Sequence, residues 1–220
     1  MQVSFSTVLS ASIVGLKVEP VRVEADVSNG LPSFSMVGYL SSEVKEAAER
    51  VRTAIRNSGL DFPAKKTVIN LSPANVKKRG AAFDLPIAVA ILVSLGKVRQ
   101  RDVGGMLVIG ELGLDGRVRK VPGILPILLE AKENGIGKCL VPKENAPEGA
   151  LVEGVSVIGV ETLRDTVEYL NGNYAMEPER YHDAYEEEGE DVAMPDYGDI
   201  CGQGAVKRAT EVAVAGGHNL

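Results

Sequence analysis

The sequence predicts a mixed α/β (α+β) fold, a two-layer sandwich in which helices cover a sheet of antiparallel and parallel strands. Residues 3–14 and 17–28 are rich in Val and Ile, and the turn residues Ser28-Asn29-Gly30 end the second run, which indicates a hairpin. From residue 139 onward, short apolar runs alternate with helical patterns, which is typical of parallel pairing. With 45% hydrophobic residues among 220, the chain can bury a core without disulfides.

The remaining elements follow from hydrophobic periodicity and from turn and capping residues. Leu114-Asp115-Gly116 is a strong hairpin turn, and Ser41 or Ser42 is the expected start of the first long helix. The predicted strands are 34–37, 67–71, 106–112, 117–121, 139–142, 155–160 and a last one that begins at 219–220. The predicted helices are 41–57, 83–96, 124–134, 144–151, 162–170 and 203–215.

The formal net charge of −6 is concentrated in one segment. Residues 172–193 contain eight acidic side chains and a single arginine, so they account for all of the negative charge. Such a composition cannot bury enough apolar surface to fold alone. We therefore expect a folded domain over residues 1–171, an acidic linker over 172–193, and the start of a second module over 194–220.

The two cysteines and the apolar runs bear on the compartment. Cys139 and Cys201 stand far apart and belong to no metal-binding pattern, so we expect free thiols in a reducing cytoplasm. The amino terminus lacks a basic segment followed by a continuous apolar run, so it does not resemble a signal peptide. The longest apolar run, Leu85 to Leu95, is too short to cross a membrane, and we expect no membrane partner.

Three sequence blocks resemble magnesium-chelatase-like AAA+ ATPases of the ComM/YifB type. Residues 26–92, beginning DVSNGLPSFSMVGY, and residues 110–142, GELGLDGRVRKVPGILPILLEAKENGIGKCLVP, resemble the amino-terminal domain of that family. The second block is also similar to Lon peptidase domains. Residues 196–220 resemble the entry to a AAA+ module, ahead of its phosphate-binding loop. The chain departs from the family at Tyr39-Leu40, Cys201 and Gly204.

The resemblance implies a Lon-protease-like fold, also called ribosomal protein S-five domain-2-like. It also implies that a AAA+ motor follows in a longer protein, uses ATP and Mg²⁺, and forms a hexameric ring. In this family, such a motor acts on DNA in branch migration and recombination during DNA uptake. The same resemblance places Ile200 and Gly202 beside the adenine of ATP.

These 220 residues contain no phosphate-binding loop of the form G-x-x-x-x-G-K-[ST]. The two Gly-Lys pairs, at Gly96-Lys97 and Gly137-Lys138, lack the upstream glycine and the following hydroxyl, so we interpret them as turns. We therefore expect no cofactor and no ATP hydrolysis in this part of the protein.

Lon-type proteolysis needs a serine within reach of a lysine base. An ungapped alignment places the serine among Ala82, Phe83 and Asp84 and the lysine at Ile127, so both partners are missing. The nearest hydroxyls in sequence, Ser72 and Ser94, are interpreted as structural. We therefore expect a scaffold without peptidase activity.

Four other titratable residues are interpreted as structural. Asp84 begins an apolar helix and is expected to cap it or to interact with its dipole. Glu111, in a predicted strand, is expected to be a hydrogen-bonded carboxylate rather than a catalytic one. His182 and His218 lack partners at ligand spacing, so we expect no metal site.

Basic residues give the remaining functional signal. Lys45, Arg52 and Arg56 share one helix face, and Lys65-Lys66 and Lys77-Lys78-Arg79 flank the strand that follows. DNA is therefore a candidate partner, with a predicted contact set of Arg52, Arg56, Lys65, Lys66, Lys77, Lys78 and Arg79. The alternative is a solvated face paired with Glu43, Glu46 and Glu49. We expect no aromatic residues interleaved with the basic ones for base stacking.

Three functions stay open at this point. The first is an accessory domain of an ATP-driven DNA motor that guides DNA or a partner. The second is a protein-interaction module without DNA contact. The third is a true chelatase subunit, which the absence of a metal-binding cluster in the sequence disfavours.

Overall fold

The computed structural model describes residues 5–181 and 196–219, which fall into two compact units, Met1–His182 and Asp183–Leu220. The strands of the first unit are β1 Phe5–Val14, β2 Lys17–Ser28, β3 Ser33–Val37, β4 Lys66–Ser72, β5 Met106–Val108, β6 Glu111–Leu112, β7 Val118–Arg119, β8 Lys138–Pro142 and β9 Ser156–Val160. Its helices are α1 Ser42–Asn57, α2 Asp84–Ser94, α3 Gln100–Val103, α4 Ile124–Glu133, α5 Ala146–Gly149 and α6 Leu163–Leu170.

Seven strands form one mixed sheet in the order β3-β4-β2-β1-β5-β8-β9. Antiparallel pairing joins β1 to β2 and β2 to β4, whereas β3–β4, β1–β5, β5–β8 and β8–β9 pair in parallel. The predicted division between a hairpin-rich first part and a later part with alternating strands and helices is confirmed, and so is the mixed α/β fold class.

Helices cover the two sheet faces unequally. On one face, α1, α2 and α6 pack on alternate residues of the strands, such as Val23, Ile69 and Ile158, and enclose the larger core. On the other face, α4 and α5 cover β1, β5, β8 and β9 around Leu107 and Cys139. The sandwich is therefore two layers deep over β2, β4 and β3, and three layers deep over the other half.

The predicted strands 106–112 and 117–121 are interrupted. Residues 106–108 join the large sheet, and only β6 and β7 form the hairpin around Asp115-Gly116. Asp115 Oδ1 accepts a hydrogen bond from the backbone N–H of Arg117 at 3.1 Å. Gly116 has a φ of +84°, and a Cβ there would lie 2.2 Å from the Ser58 hydroxyl, so a side chain at this position would clash with α1.

Helix α2 lies at the centre of the domain, and all of its residues are buried. It packs on β1 and β2 and also contacts α1 and α6, so no face of it reaches solvent. A helix surrounded in this way must be apolar on all sides, which explains the run Leu85 to Val93. Its only charged residue is Asp84.

Asp84 forms a buried ion pair with Arg50 of α1. Arg50 Nε donates to Asp84 Oδ2 at 2.7 Å and Arg50 Nη2 donates to Oδ1 at 3.0 Å. The Leu112 N–H also donates to Asp84, at 3.3 Å. Burial raises the pKa of Asp84, although Arg50 opposes that shift. The expected cap is wrong, because Phe83 occupies the N-cap position, whereas Asp84 does lie in the first turn of α2, where a carboxylate interacts favourably with the helix dipole. Asp84 also connects α2 with α1 and β6.

The second unit contains a 3-10 turn, Tyr197–Asp199, and the helix α7, Gly204–Ala215. Asp196 and Asp199 form a capping box around the turn. Lys207 Nζ donates to the carbonyls of Ile200, at 2.7 Å, and Tyr197. The helix prediction is confirmed. Residues 1–4, His182, most of the expected acidic linker, Met194 and Leu220 lie outside the described residues.

Removing one member of the buried ion pair should destabilise the domain strongly. We expect Arg50→Met to lower the free energy of unfolding by about 3–5 kcal/mol, because it leaves the Asp84 carboxylate buried without its cation. The double variant Arg50→Met with Asp84→Leu should be far closer to wild type, because both charges are then removed. Urea denaturation monitored by circular dichroism measures both changes.

The matched control is Arg117→Met, since Arg117 pairs with Asp115 at 3.6 Å in an exposed turn. This change should cost less than about 1 kcal/mol. A double variant as unstable as Arg50→Met alone would show that the pair contributes through packing rather than through charge balance.

Candidate functional site

The two positions aligned with the Lon serine and lysine lie together in the structure. Ala82 and Ile127 both line a cavity of about 160 Å³ beside β1 and the start of α4. Phe83 also lines it, whereas Asp84 is held by Arg50. The alignment therefore identified one place in the fold, although the two segments are distant in sequence.

The chemistry of this cavity differs from that of a serine–lysine site. Its lining contains one hydroxyl, that of Ser12, and no lysine or histidine among the described residues. Its only basic side chain is Arg79, whose guanidinium stays protonated and cannot act as a base. The lining therefore provides no activated nucleophile, and the expected lack of peptidase activity stays a prediction.

The serines singled out from the sequence lie elsewhere. Ser72 ends β4, and Ser94 is buried at the end of α2, where its Oγ accepts a hydrogen bond from the Val27 N–H at 3.1 Å. Ser12, on β1, is the hydroxyl that reaches the cavity. Sequence proximity could not identify it, because the sheet order brings β1 beside β5.

Glu111 also lines this cavity, at the start of β6. Its charge raises the pKa of Arg50, although the hydrogen bonds from Arg50 to Asp84 contribute more to that shift. Glu111 is therefore part of the electrostatic surroundings of the buried ion pair. No hydrogen bond of its carboxylate is found among the described residues, so its expected role as a hydrogen-bonded group stays a prediction.

The predicted basic residues form two groups at opposite ends of α1. Arg52 and Arg56 lie in its carboxy-terminal half, close to the chain that leads into Lys65 and Lys66. Lys77 and Arg79 border a hollow at its amino terminus, together with Ser41, Ser42, Glu43 and Gly80. About 15 Å of helix separates Ser42 from Arg52, so the sequence set is not one compact cluster.

Aromatic rings accompany the first group, and we call Phe34, Phe62, Arg52 and Arg56 the arginine–phenylalanine cluster. The rings of Phe34 and Phe62 stack with centroids 6.2 Å apart and planes 12° apart. The Arg52 guanidinium lies 5.6 Å from the Phe34 centroid, and that of Arg56 lies 5.9 Å from Phe62. The expectation of no interleaved aromatics is therefore wrong, because strand pairing and a loop bring the rings to α1.

Lys65 and Lys66 extend this cluster. Lys66 pairs with Ser33 in the parallel β3–β4 ladder, one residue before the pair formed by Phe34 and Thr67. The Arg52 guanidinium also lies 3.1 Å from a Glu49 carboxylate oxygen, as the solvated-face alternative expects. Arg56, Lys65 and Lys66 form no ion pair with any described residue. Three cations therefore remain for an anionic ligand.

Lys78 does not belong to the basic surface. Its side chain is fully buried, and its Nζ donates to the carbonyl oxygen of Pro73. Its backbone bonds to Tyr39 and Ser41 beside the start of α1. Burial lowers the pKa of its amine. The prediction that Lys78 contacts DNA is therefore wrong, whereas its neighbour Lys77 is partly exposed with its Nζ 5.6 Å from the Tyr39 ring centroid.

The residues expected near adenine lie in the second unit. Ile200 follows the 3-10 turn and is exposed, and Gly202 has a φ of +71° two residues ahead of α7. Lys207 holds this segment through the Ile200 carbonyl. The role of Ile200 and Gly202 in nucleotide binding stays a prediction.

Three further properties bear on chemistry. Cys139 is a buried free thiol whose pKa burial raises to about 12, and Cys201 is an exposed free thiol. Among residues 5–181 and 196–219, no group of three His, Cys, Asp or Glu side chains is arranged to hold a metal ion. Within the same residues, no helix has the length and apolar character needed to cross a membrane.

Comparison with known proteins bears on the family and the fold. A family model described as subunit ChlI of Mg-chelatase matches residues 23–145. The uncharacterized protein YifB of Escherichia coli is 38% identical over 217 residues, which cover 99% of this chain and 42% of that protein. The competence protein ComM of Haemophilus influenzae is 36% identical over 221 residues, covering 99% of the chain and 43% of that protein.

A Lon protease of Mycolicibacterium smegmatis is 27% identical over 176 residues, 76% of this chain and 22% of that protein. This similarity fits the Lon-like fold expected from the sequence. The chain spans less than half the length of the YifB and ComM relatives.

The buried amine of Lys78 should make stability depend on pH. Its pKa is lower in the folded chain than the ordinary 10.5, so the unfolded chain binds more protons between the two values. Wild type should therefore gain stability relative to Lys78→Met as the pH rises towards 10.5. Urea midpoints of both proteins at a series of alkaline pH values measure the difference.

Arg79→Met is the matched control, because Arg79 is exposed next in sequence. The difference in urea midpoint between Arg79→Met and wild type should stay constant over the same pH range. A constant difference for Lys78→Met as well would mean that the amine is not desolvated in the folded state.

Proposed function

We propose that the chain, which belongs to the magnesium-chelatase-like family that includes YifB and ComM, is the non-catalytic accessory domain of a AAA+ ATPase that acts on DNA. The named relative ComM is a competence protein, which supports a connection with DNA uptake. In this proposal the longer protein supplies the motor, binds ATP and Mg²⁺, forms a hexameric ring and works in the cytoplasm. Ile200 and Gly202 then contact the adenine.

The arginine–phenylalanine cluster is the observation that carries the proposal for this domain. Stacked rings beside guanidinium groups are the combination by which proteins hold unpaired bases, since bases stack on aromatic rings and cations pair with phosphates. Arg56, Lys65 and Lys66 supply cations that no described acidic residue neutralises. The favoured ligand is therefore single-stranded DNA at the carboxy-terminal end of α1, where the cluster lies. Lys77 and Arg79, at the amino-terminal end of α1, are a second phosphate contact.

A protein-interaction module is the second candidate, and exposed apolar residues favour it. Leu16, at the tip of the β1–β2 hairpin, is fully exposed, and Leu129 of α4 is about half exposed. Both residues line one hollow at the surface. Contiguous exposed apolar groups commonly mark protein contacts. This surface lies away from the arginine–phenylalanine cluster, so the two candidates predict different sensitive residues.

Reversing the charges of Arg56 and Lys66 should weaken DNA binding and make that binding less dependent on salt. We expect Arg56→Glu with Lys66→Glu to lower the affinity of the chain for a fluorescein-labelled oligothymidylate. The slope of log K against log salt should fall by about 1.4, because each single-strand phosphate contact contributes about 0.7. Fluorescence anisotropy over a salt series measures both quantities.

Lys17→Glu with Lys132→Glu is the matched control, since it changes the net charge equally at exposed sites outside the cluster. Phe62→Leu tests stacking separately and should weaken binding at constant slope. If both charge pairs reduce binding equally, or if the chain binds no DNA at low salt, the domain does not guide DNA through this surface.

The 220 residues alone should turn over no ATP, because they contain no phosphate-binding loop. A phosphate-release assay with Mg²⁺ and ATP measures this, with a heat-treated sample as the background. Turnover above that background would contradict the accessory role.

A further inference from the structure

The cavity of about 160 Å³ that Ala82 and Ile127 line has the position of a ligand site. It lies at the carboxyl ends of the parallel strands β1 and β5, just beyond their pairing at Leu9 and Leu107. The next strand is β2 on one side of this pair and β8 on the other, so the chain leaves the two strands in opposite directions. In open α/β sheets, ligands commonly bind where neighbouring parallel strands part in this way.

The cavity opens to solvent on one side. Its mouth is formed by four exposed residues, Ile13, Arg79, Gly80 and Pro122. Among the buried residues of its lining, Ser12 is the only polar one. The other buried residues of the lining are Ala11, Phe83, Ile109, Val121 and Ile127.

The Ser12 hydroxyl has no partner among the described residues. The residue is only 5% exposed, and no hydrogen bond of its Oγ is found in the described part of the chain. Ser6, on the same face of β1, shows the ordinary arrangement, because its Oγ donates to the Ala90 carbonyl oxygen at 2.7 Å. Buried hydroxyl groups normally have such a partner. The Ser12 hydroxyl is therefore available to a ligand in the cavity.

Unpaired backbone N–H groups occur in the wall of the same cavity. The N–H groups of Ala81, Ala82 and Phe83 donate to no described residue. Two of the carbonyl groups are used, since that of Ala81 accepts from the Asp84 N–H and that of Ala82 from the Gly110 N–H. Phe83 is buried, so its N–H has little access to bulk water. Successive free N–H groups are a common anion-binding arrangement.

The charged residues of the lining favour a ligand with a single negative charge. Arg79 is exposed and forms no ion pair with any described residue, so its guanidinium is free to balance one such charge. Glu111 is the one acidic residue of the lining, and its charge also acts on Arg50 and Asp84. A carboxylate beside the cavity repels a phosphate dianion more strongly than a monoanion.

The size and the apolar walls determine the rest of the ligand. The volume is below the range of about 300–1,000 Å³ that is typical of sites for larger molecules. It corresponds to the space of about five water molecules, which holds a carboxylate and about three further carbon atoms. Phe83, Val121 and Ile127 provide apolar contacts for those carbon atoms.

We propose that this cavity binds the carboxylate of a small apolar group, held by the Ser12 hydroxyl, the N–H groups of residues 81–83 and the Arg79 guanidinium. A free acid such as isobutyrate and the carboxyl terminus of a polypeptide that ends in a small apolar residue share this chemistry. Ser12 takes no part in the proposed DNA contact or in the alternative protein contact, and Arg79 is the one residue of this set that the DNA contact also uses.

Isobutyrate and isobutyramide test the requirement for charge, because the two molecules have nearly the same shape and only the first is an anion. The 220-residue chain with methyl-labelled alanine and isoleucine is titrated and followed by NMR. Isobutyrate should shift the methyl resonances of Ala82, Ile109 and Ile127, and isobutyramide should bind at least about tenfold more weakly.

Blocked dipeptides distinguish the two sources of the carboxylate. Acetyl-Ala-Val with a free carboxylate and the corresponding amide repeat the comparison between an acid and its amide. Tighter binding of the dipeptide acid than of isobutyrate identifies a polypeptide terminus as the ligand, and weaker binding identifies a free acid. Either result upholds the carboxylate site.

Ser12→Ala should weaken isobutyrate binding about tenfold, because it removes a hydrogen bond to a charged group. Ser10→Ala is the matched control. Ser10 is also a buried serine of β1 whose Oγ has no partner, but it does not line this cavity. Its removal should leave the affinity for isobutyrate unchanged, and both variants should retain the rest of the methyl spectrum.

Arg79→Met should weaken isobutyrate binding roughly two- to fivefold, the range of an exposed ion pair, and Arg79→Lys should restore most of the loss. Lys77→Met separates this effect from the DNA contact. Lys77 borders the hollow at the amino terminus of α1 but not the cavity, so its loss should weaken only DNA binding.

Equal binding of isobutyrate and isobutyramide, or equal losses for Ser12→Ala and Ser10→Ala, would overturn the proposal. Absence of shifts at the highest soluble concentration of isobutyrate, or shifts confined to methyl groups outside the cavity, would overturn it too. If the chain binds no DNA but isobutyrate still shifts the cavity methyl groups, the DNA contact fails and the carboxylate site stands.

Discussion

The ion pair between Arg50 and Asp84 is the constraint on which the domain architecture depends. It joins α1 to the first residue of α2, and Leu112 connects the same carboxylate to the β6–β7 hairpin. Burial raises the pKa of Asp84 even with Arg50 present, so the desolvation of its charge is not fully offset. Such a pair contributes orientation more than net stability. The pair also anchors α1, which carries Arg52 and Arg56 of the arginine–phenylalanine cluster, to the buried helix α2.

The sequence predicted most of the fold because local pattern and tertiary packing agree over long stretches. The period of α1 places Val44, Val51 and Ile55 inward, and these residues are buried. The prediction from the sequence failed where contacts are non-local. The strand predicted over 106–112 contains residues that belong to two different sheets, and nothing in its composition marks the division. The predicted two-layer arrangement was also incomplete, because hydrophobic periodicity does not reveal which face of the sheet a helix such as α4 covers.

The candidate site was predicted less well than the fold, for the same reason. Lys77, Lys78 and Arg79 are equivalent in sequence, but the bridge between Leu40 and Lys78 turns the middle side chain inward. Phe34 of the cluster lies on β3, 18 residues before Arg52, so strand pairing is needed to bring it there. Phe62 lies in the loop before β4, only six residues after Arg56, and this neighbour could have been found from the sequence. In contrast, the positions that the alignment matched to the Lon serine and lysine include Ala82 and Ile127, which line one cavity, because an alignment with a related fold connects positions that are distant in sequence.

Because the cavity lined by Ala82 and Ile127 offers no serine–lysine pair, the candidate DNA and protein contacts involve the outer surfaces of the fold. The alternation of the sheet then separates two of them. Phe34 faces the larger core side together with α1, whereas Arg22 faces the opposite side beside α4. The proposed DNA contact at the arginine–phenylalanine cluster and the alternative protein contact around Leu16 and Leu129 beside α4 therefore involve opposite faces of the sheet.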